Sequence, residues 1–286
     1  IVRDQRTSTP DTEAGVTTAG GRVTSTYPGR PDVTITRDTP DTNPDTATPI
    51  GTRPLYGQDE AMHEIMTAIA SGENVIMMGP TGCGKTDLAR RACEVTGTSF
   101  VLVSCDPDTR KGDLIGEAVI DPDPSGESVV PLVFQPGPVT NAVRNSRTRR
   151  TVLFIDEPNR VDAVSVFASL YGVLDGSRTL ALGSGAYEPV GDLILMAAIN
   201  PADDSKTAYD VRELDPALMD RFHTTIALTY PDVSVEARAL VERVPGLDTD
   251  IALSLARVAR SVREAPSVSY PFGFRTLAAW GKRVAA

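Results

Sequence analysis

The sequence predicts an α/β fold in which helices flank a parallel sheet, followed by a small all-helical subdomain. Five short apolar runs carry the first part of this prediction, because continuous apolar runs are typical of strands that are covered on both faces. The runs are residues 74–78, 100–103, 152–155, 193–196 and 225–228. Helical segments separate them, as crossover connections between parallel strands require. After Pro231 only helical patterns remain, which predicts the separate subdomain.

Local signals predict the connecting elements in turn. Met62, Ile65, Met66 and Ile69 repeat with helical spacing, and Gly72 closes that helix. The other predicted elements are a helix over 87–96, a proline-rich insertion over 117–138 with a helix after Gly137–Pro138, a β-hairpin within 178–191 and a last helix over 276–284. In the subdomain, one helix is predicted to bury Ala237, Leu240, Val241 and Val244, and the next to bury Ile251, Leu255, Val258 and Val262.

Residues 1–52 have a different composition from the rest. They contain 14 threonines and 6 prolines but few apolar residues, which is too little to offset the entropy of ordering the backbone. Only residues 33–36 have the pattern of a strand. We therefore expect a disordered arm over 1–52, an α/β core over 53–230 and a helical lid over 231–286. Because the chain begins with Ile1 and ends shortly after its last helix, we also expect a fragment with a truncated lid.

The overall composition excludes several classes of protein. Among 286 residues, 28 basic and 38 acidic side chains give a net charge of −10, which argues against a protein that binds nucleic-acid backbones. No apolar stretch approaches the roughly 18–20 residues of a membrane span, and there is no signal peptide pattern, so we expect a soluble cytoplasmic protein. The three cysteines lack C-x-x-C spacing and predict neither a disulfide framework nor a zinc site.

The string Gly-Pro-Thr-Gly-Cys-Gly-Lys-Thr at residues 79–86 matches the phosphate-loop pattern G-x-x-x-x-G-K-[ST]. It lies directly after an apolar strand and before a helix, where backbone amides and the helix dipole can bind phosphate. The nucleotide-binding residues are therefore predicted to be Gly79, Pro80, Thr81, Gly82, Cys83, Gly84, Lys85 and Thr86. Lys85 would meet the β- and γ-phosphates, Thr86 would ligate Mg²⁺, and Cys83 is interpreted as an inert filler rather than a redox switch. The fold class is thus that of P-loop nucleoside triphosphatases.

An acidic pair follows the apolar run at 152–155. Asp156 is placed to hold Mg²⁺, and Glu157, one residue farther into the crevice, is placed to polarise an attacking water. Residues 113–116 read D-x-x-G, as in GTPases, but the guanine-specifying [NT]-K-x-D is absent, which favours adenine. A simple kinase would need an acceptor site and an arginine-rich lid, so the sequence favours water activation.

With both motifs in place, the chain resembles the AAA+ ATPases. Within them it is similar to the MoxR-like group, which includes the CbbQ- and NorQ-type activators and the midasin-related proteins. The strings that carry the resemblance, over about residues 54–286, are 55–60, 79–86, 113–116, 137–138, 156–160, 200–201 and 214–222.

The resemblance implies further roles at matching positions. Asn200 resembles the sensor that orients water with Glu157, and Arg221 resembles the arginine finger that reaches a neighbouring subunit. Arg275 resembles the lid arginine that reports nucleotide state, although Gly273–Phe274 stands where the family commonly has Ser-Pro. Gly57 is grouped with the nucleotide-binding residues.

The resemblance also implies ATP, Mg²⁺ and an assembly of identical subunits, with a hexamer expected. Its function would be chaperone-like remodelling of a protein client, in this group often a von Willebrand A-domain protein. Residues 106–118 contain no aromatic grip for threading a polypeptide, which favours local pulling or wedging. Two alternatives stay open: a nucleotide-dependent scaffold with marginal hydrolysis, and a DNA-associated motor, which the negative charge disfavours.

Overall fold

A computed structural model describes residues 15–19, 22–36, 57–120, 132–182, 185–200, 214–265, 268 and 272–285. The strands are β1 (Gly15–Ala19), β2 (Arg22–Thr26), β3 (Val33–Thr36), β4 (Val75–Met78), β5 (Ser99–Ser104), β6 (Gly116–Ile120), β7 (Leu132–Pro136), β8 (Thr151–Asp156), β9 (Thr179–Ala181), β10 (Tyr187–Pro189), β11 (Leu193–Ile199) and β12 (Thr224–Ala227). The helices are α1 (Asp59–Ser71), α2 (Lys85–Thr96), α3 (Lys111–Ile115), α4 (Pro138–Asn145), α5 (Ala163–Leu174), α6 (Pro216–Met219), α7 (Val233–Arg243), α8 (Thr249–Glu264) and α9 (Phe274–Ala285), with a 3₁₀ turn at Pro158–Arg160. Within these ranges, none of the helices combines the length and apolarity needed to span a bilayer.

The central sheet contains five parallel strands in the order β12–β4–β11–β8–β5. Each predicted apolar run forms one of these strands, so the predicted fold class is confirmed. The hairpin predicted within 178–191 is also observed, as the antiparallel pair β9 and β10. The proline-rich insertion forms a second antiparallel pair, β6 and β7, whose connection over 121–131 lies outside the described residues.

Alternate residues of the sheet enter two separate hydrophobic cores. Leu153 and Ile155 of β8 pack in the core that α3, α4 and α5 cover. Val152 and Phe154 of the same strand pack in the opposite core, under α1 and α2. Phe154 is fully buried, and burying such a side chain stabilises the fold by about 1.5–3 kcal/mol. The double coverage explains why the strands are continuously apolar.

Strands β1, β2 and β3 form a separate three-stranded antiparallel sheet beside α1. Val23 and Ile35 enter the same core as the apolar face of α1. Arg30, in the turn before β3, pairs with Glu60 and Glu64 of α1 at 2.6 and 2.7 Å. The sheet is thus attached to the α/β core by both apolar packing and ion pairs.

This sheet corrects the prediction of a disordered arm over 1–52. The prediction is wrong for the three strands, of which only the one at 33–36 was expected. Most side chains of β1 and β2 are threonine, serine or arginine, and the few apolar residues in these two strands are too sparse for a strand pattern. The rest of the predicted arm lies outside the described residues.

The C-terminal helices α7, α8 and α9 share a third hydrophobic core. Helix α7 buries Ala237 and Leu240 as predicted, but α8 turns a different face inward. Its buried residues are Ala252, Ala256 and Ala259, whereas Ile251 and Val258 are 40% and 47% exposed. The prediction is therefore wrong for Ile251 and Val258, whereas Leu255 and Val262 are partly buried and pack against this core. Small alanines let the neighbouring helix approach closely, so the larger side chains lie at the margin.

A buried ion pair joins α7 to α8. Glu236 and Arg263 pair at 2.7 Å, with side chains only 1% and 7% exposed. We expect Glu236→Ala to destabilise the helical core by about 3–5 kcal/mol, because it removes the carboxylate that pairs with a buried guanidinium. Urea unfolding followed by the fluorescence of Trp280, which packs edge-on against Phe272 in this core, measures the change.

The matched control is Glu264→Ala on α8. Glu264 is 66% exposed and lies 3.8 Å from Arg260, a surface pair for which we expect a loss of less than about 1 kcal/mol. Equal losses for the two variants would contradict the prediction.

Candidate nucleotide-binding site

Three neighbouring strands of the central sheet end at the candidate site. Strand β4 leads into the phosphate loop, β8 ends beside Glu157, and β11 ends directly before Asn200. Because β11 lies between β4 and β8, Asn200 lies between the other two groups. Lys85 Nζ donates to Asn200 Oδ1 at 2.8 Å, and Asn200 Nδ2 donates to Glu157 Oε1 at 2.7 Å. The strand order thus joins three sequence-predicted residues in one hydrogen-bonded chain.

The phosphate loop needs its glycines for backbone geometry. Gly82 and Gly84 have positive φ angles of 75° and 101°, which side chains rarely adopt. A Cβ on Gly79 would lie 2.6 Å from the carbonyl oxygen of Leu228, so the loop packs tightly against the end of the neighbouring strand. Gly84 immediately precedes α2, and the free amides of that helix start are therefore aimed at the loop interior.

Lys85 lies in the first turn of α2 and is almost fully buried. Besides Asn200, its ammonium group donates to the carbonyl oxygens of Gly79 and Pro80, at 2.6 and 3.0 Å. Burial lowers the pKa of Lys85, and the nearby Asp156 and Glu157 act in the opposite direction. The ammonium group is thus held at the mouth of the loop by neutral oxygens, which a phosphate group can replace.

Thr86 and Asp156 form an oxygen pair beside Lys85. The Thr86 hydroxyl donates to Asp156 Oδ2 at 3.0 Å. Burial raises the pKa of Asp156, while the Thr86 hydrogen bond and the charges of Lys85 and Arg275 oppose that shift. A hydroxyl and a carboxylate are hard oxygen ligands, which suits Mg²⁺ bound together with phosphate and water. In the described part of the chain, no three His, Cys, Asp or Glu side chains are grouped so that they could hold a metal ion.

Glu157 has an unusual backbone. Its φ and ψ of 56° and 48° place a non-glycine residue in the left-handed region. Such strain costs roughly 1–3 kcal/mol and is found mainly at functional sites. The conformation leads the chain into the 3₁₀ turn, whose Arg160 donates to Glu157 Oε2 at 2.8 Å. Asn200 and Arg160 therefore hold one carboxylate oxygen each.

Two predicted nucleotide-binding residues lie where the C-terminal helices meet the loop. Arg275, in the first turn of α9, is exposed, and its positive charge weakly opposes the rise in the pKa of Asp156 that burial causes. Gly57 precedes α1 with a φ of +66°, and a Cβ there would lie 3.2 Å from Val235 of α7. Both residues therefore border the space between the α/β core and the helical part.

Arg221 does not join the other predicted residues. It precedes β12, whereas the phosphate loop follows the parallel neighbour β4, so the two lie at opposite ends of the sheet. Four residues of β12 separate these ends by about 13 Å. In the described structure the guanidinium lies 4.7 Å from the Tyr171 ring centre and donates to the Ala217 carbonyl. Within one chain it does not touch the nucleotide site.

Three residues to which the sequence assigns no role contact this site. Arg160 binds Glu157, Gln58 Nε2 donates to the carbonyl oxygen of Cys83 at 2.7 Å, and the Tyr230 hydroxyl donates to that of Thr81 at 2.6 Å. Gln58 and Arg160 stand within strings that carried the family resemblance, which was the only available signal. Tyr230 follows the last strand of the sheet, and no local pattern marks it.

The cysteines are buried thiols. Burial raises the pKa of Cys83 in the phosphate loop, and it raises the pKa of Cys105 to about 12. Because the thiolate is the reactive form, these shifts favour unreactive side chains at neutral pH. The interpretation of Cys83 as an inert filler stays a prediction that this geometry supports.

The fold and site together define a P-loop protein of the α/β class, with the phosphate loop and an acidic strand end at one edge of a parallel sheet. Residues 74–222 match the family model of the AAA domain, dynein-related subfamily. The chain belongs to this family, and the predicted resemblance to MoxR- and NorQ-type AAA+ ATPases is confirmed. Membership of this ATPase family supports nucleotide-dependent activity.

Individual proteins are similar to this chain over different parts of its length. The chain is 30% identical to Protein NorQ of Paracoccus denitrificans (strain Pd 1222) over 217 residues, which cover 73% of this chain and 72% of NorQ. It is 35% identical over 127 residues to the uncharacterized protein YojN of Bacillus subtilis (strain 168), covering 44% of this chain and 39% of YojN. The crystal structure of a candidate ATPase from Cytophaga hutchinsonii aligns with a TM-score of 0.51 at 20% identity, over 73% of this chain and 60% of that one. The last comparison shows the fold alone.

Proposed function

We propose that this protein is a cytoplasmic ATPase that binds ATP with Mg²⁺ and hydrolyses it. The observation that carries the proposal is the hydrogen-bonded chain from Lys85 through Asn200 to Glu157, beside the oxygen pair of Thr86 and Asp156. We assign these three residues, in order, the roles of phosphate-binding cation, water-orienting amide and carboxylate base, and their hydrogen bonds along one edge of the sheet support that assignment.

Each residue has a separate part in the proposed reaction. Lys85 exchanges its carbonyl partners for the β- and γ-phosphate oxygens. Thr86 and Asp156 hold the metal ion, which neutralises charge on the phosphates when bound. Glu157 accepts the proton of the attacking water, and Asn200 fixes the direction of that carboxylate. Arg275 and Gly57 border the nucleotide from the side of the helical lid.

We further propose that the active form is a ring of identical subunits, with six as the expected number. The position of Arg221 supports this, because a residue at the opposite end of the sheet can act on γ-phosphate only in a neighbouring subunit. The ring would remodel or activate a protein client in a chaperone-like manner. A von Willebrand A-domain protein is the class of client that the family resemblance suggests, and nucleic acid is not expected.

The proposal is tested by measuring ATP binding and phosphate release. We expect Lys85→Ala to weaken ATP binding about 10- to 100-fold, because it removes a charged hydrogen bond to phosphate. Lys282→Ala on the exposed side of α9 is the matched control and should bind like the wild type.

The same measurement separates the alternatives. Wild-type binding without phosphate release would favour the nucleotide-dependent scaffold, and failure of the wild type to bind ATP would contradict the whole proposal. Binding to DNA that weakens steeply with salt would instead indicate a DNA-associated motor.

A further inference from the structure

The buried guanidinium of Arg263 connects several elements near the phosphate loop. Its Nη atoms donate to both carboxylate oxygens of Glu236 at 2.9 and 2.7 Å, and its Nε donates to the carbonyl oxygen of Phe272 at 2.7 Å. The guanidinium also stacks 3.8 Å from the centre of the Tyr230 ring. Arg263 of α8 thus contacts α7 through Glu236, the segment before α9 through Phe272, and the end of the central sheet through Tyr230.

Two of these partners lead directly to the phosphate loop. The Tyr230 hydroxyl donates to the carbonyl oxygen of Thr81 at 2.6 Å. Two residues after Phe272, the backbone N–H of Phe274 donates to the carbonyl oxygen of Gly82 at 3.4 Å. A Cβ on Gly82 would lie only 2.8 Å from Gly273 Cα, so the two backbones are in close contact. The successive carbonyl groups of Thr81 and Gly82 therefore accept hydrogen bonds from Tyr230 and from the segment after Phe272. Arg263 contacts both of these donors' segments.

The hydrogen bond from Tyr230 to the Thr81 carbonyl also fixes the direction of the next backbone amide. In a planar trans peptide the C=O and N–H groups point in opposite directions. When Tyr230 holds the Thr81 carbonyl toward the helical part, the N–H of Gly82 must point the other way, into the loop. A phosphate-binding loop works through such inward amides, and fixing them before binding removes an ordering cost.

The buried Glu236–Arg263 ion pair is not explained by stability alone. Removing two charges from water is unfavourable, and well-packed apolar residues often stabilise a fold as well or better. The polar contacts of Arg263 do, however, fix one orientation of the Tyr230 ring and of the Phe272 backbone, which apolar packing would not specify.

We infer that Tyr230 is a positioning residue of the nucleotide site, and that Arg263 with Glu236 holds it in register with the helical lid. Tyr230 orients the Thr81–Gly82 peptide for phosphate, so nucleotide binding and the packing of α8 are coupled in both directions. The inference rests on the proposed binding of ATP at this loop. The proposed role of Tyr230 does not involve Arg275, which is exposed and affects the pKa of Asp156 through its charge.

Tyr230→Phe tests the inference, because it keeps the ring under Arg263 and removes only the hydroxyl. We expect ATP affinity to fall about three- to tenfold, the size of one lost hydrogen bond, and the KM for ATP to rise with kcat nearly unchanged. In hydrogen exchange, the ATP-induced protection of α8 amides should decrease. Tyr187→Phe, at a tyrosine that is 69% exposed on β10, is the matched control and should behave like the wild type in all three measurements.

The outcomes distinguish this inference from the proposed function. Wild-type protein that binds ATP, together with a Tyr230→Phe variant that equals Tyr187→Phe in affinity and in α8 protection, would overturn the inference and leave the ATPase proposal standing. Wild-type protein that binds no ATP would overturn both. We expect Tyr230→Phe to retain the stability of the helical core, which Trp280 fluorescence during urea unfolding measures separately.

Discussion

Replacing Glu157 with glutamine is expected to lower the rate of ATP hydrolysis by about 10²- to 10⁴-fold, the usual contribution of a general base. The amide has nearly the same shape as the carboxylate, and its carbonyl oxygen can still accept from Asn200 Nδ2. It cannot take a proton from water. ATP affinity should change by less than about threefold, because Lys85, Thr86 and Asp156 make the proposed contacts to nucleotide and metal.

Phosphate release at saturating ATP measures the first effect, and titration with labelled ATP measures the second. Glu64→Gln is the matched control, since it makes the same change of charge in an ion pair with Arg30 beside the N-terminal sheet. It should retain wild-type turnover. If Glu157→Gln also retained turnover, Glu157 would not be the base, and the proposed water-activating role would have to be assigned elsewhere.

The sequence predicts the parts of the fold that have local signals. Strands β4, β8 and β11 are continuously apolar because both faces are covered, and that pattern is visible in any short window. Strands β1 and β2 have no such signal, since Val23 is a single anchor within a polar strand, whereas Val33 and Ile35 alternate in β3 and do give a strand pattern. The prediction for Ile251 and Val258 of α8 is wrong for a related reason: hydrophobicity favours large side chains as the buried ones, whereas close helix packing selects alanines.

The candidate site also contains some residues that the sequence predicts and others that only the structure reveals. The phosphate loop and the Asp156–Glu157 pair are contiguous strings and can be predicted directly. That Asn200 lies between Lys85 and Glu157 depends on the order of the strands, which the order of the chain does not give. The contacts of Arg160 and Tyr230 depend on a strained turn and on the placement of the helical part, so only three-dimensional packing reveals them.

The second large effect is expected at Arg221. Its backbone is fixed at the far end of the sheet, where the Asn74 side chain donates to the Arg221 carbonyl oxygen at 3.1 Å. The guanidinium stacks on Tyr171, so it is presented outward from one defined position. If it stabilises charge on the γ-phosphate of a neighbouring subunit, Arg221→Ala should lower turnover about 10³-fold or more, with ATP binding within each subunit retained. Arg283→Ala, at an exposed arginine near the end of α9, should leave turnover unchanged.

Mixing two inactive variants tests whether Arg221 acts between subunits. A subunit with Arg221→Ala retains Glu157, and a subunit with Glu157→Gln retains Arg221, so an interface between them in one orientation has both groups. In rings assembled at random from equal amounts of the two variants, about a quarter of the interfaces have this arrangement. Each position holds the required variant with a chance of about one half, and both positions of an interface must hold it. We expect turnover to recover toward that fraction. Mixing Arg221→Ala with a chain that carries both substitutions should give no recovery, because no interface then contains an arginine. Equal inactivity of both mixtures would show that Arg221 does not act in trans.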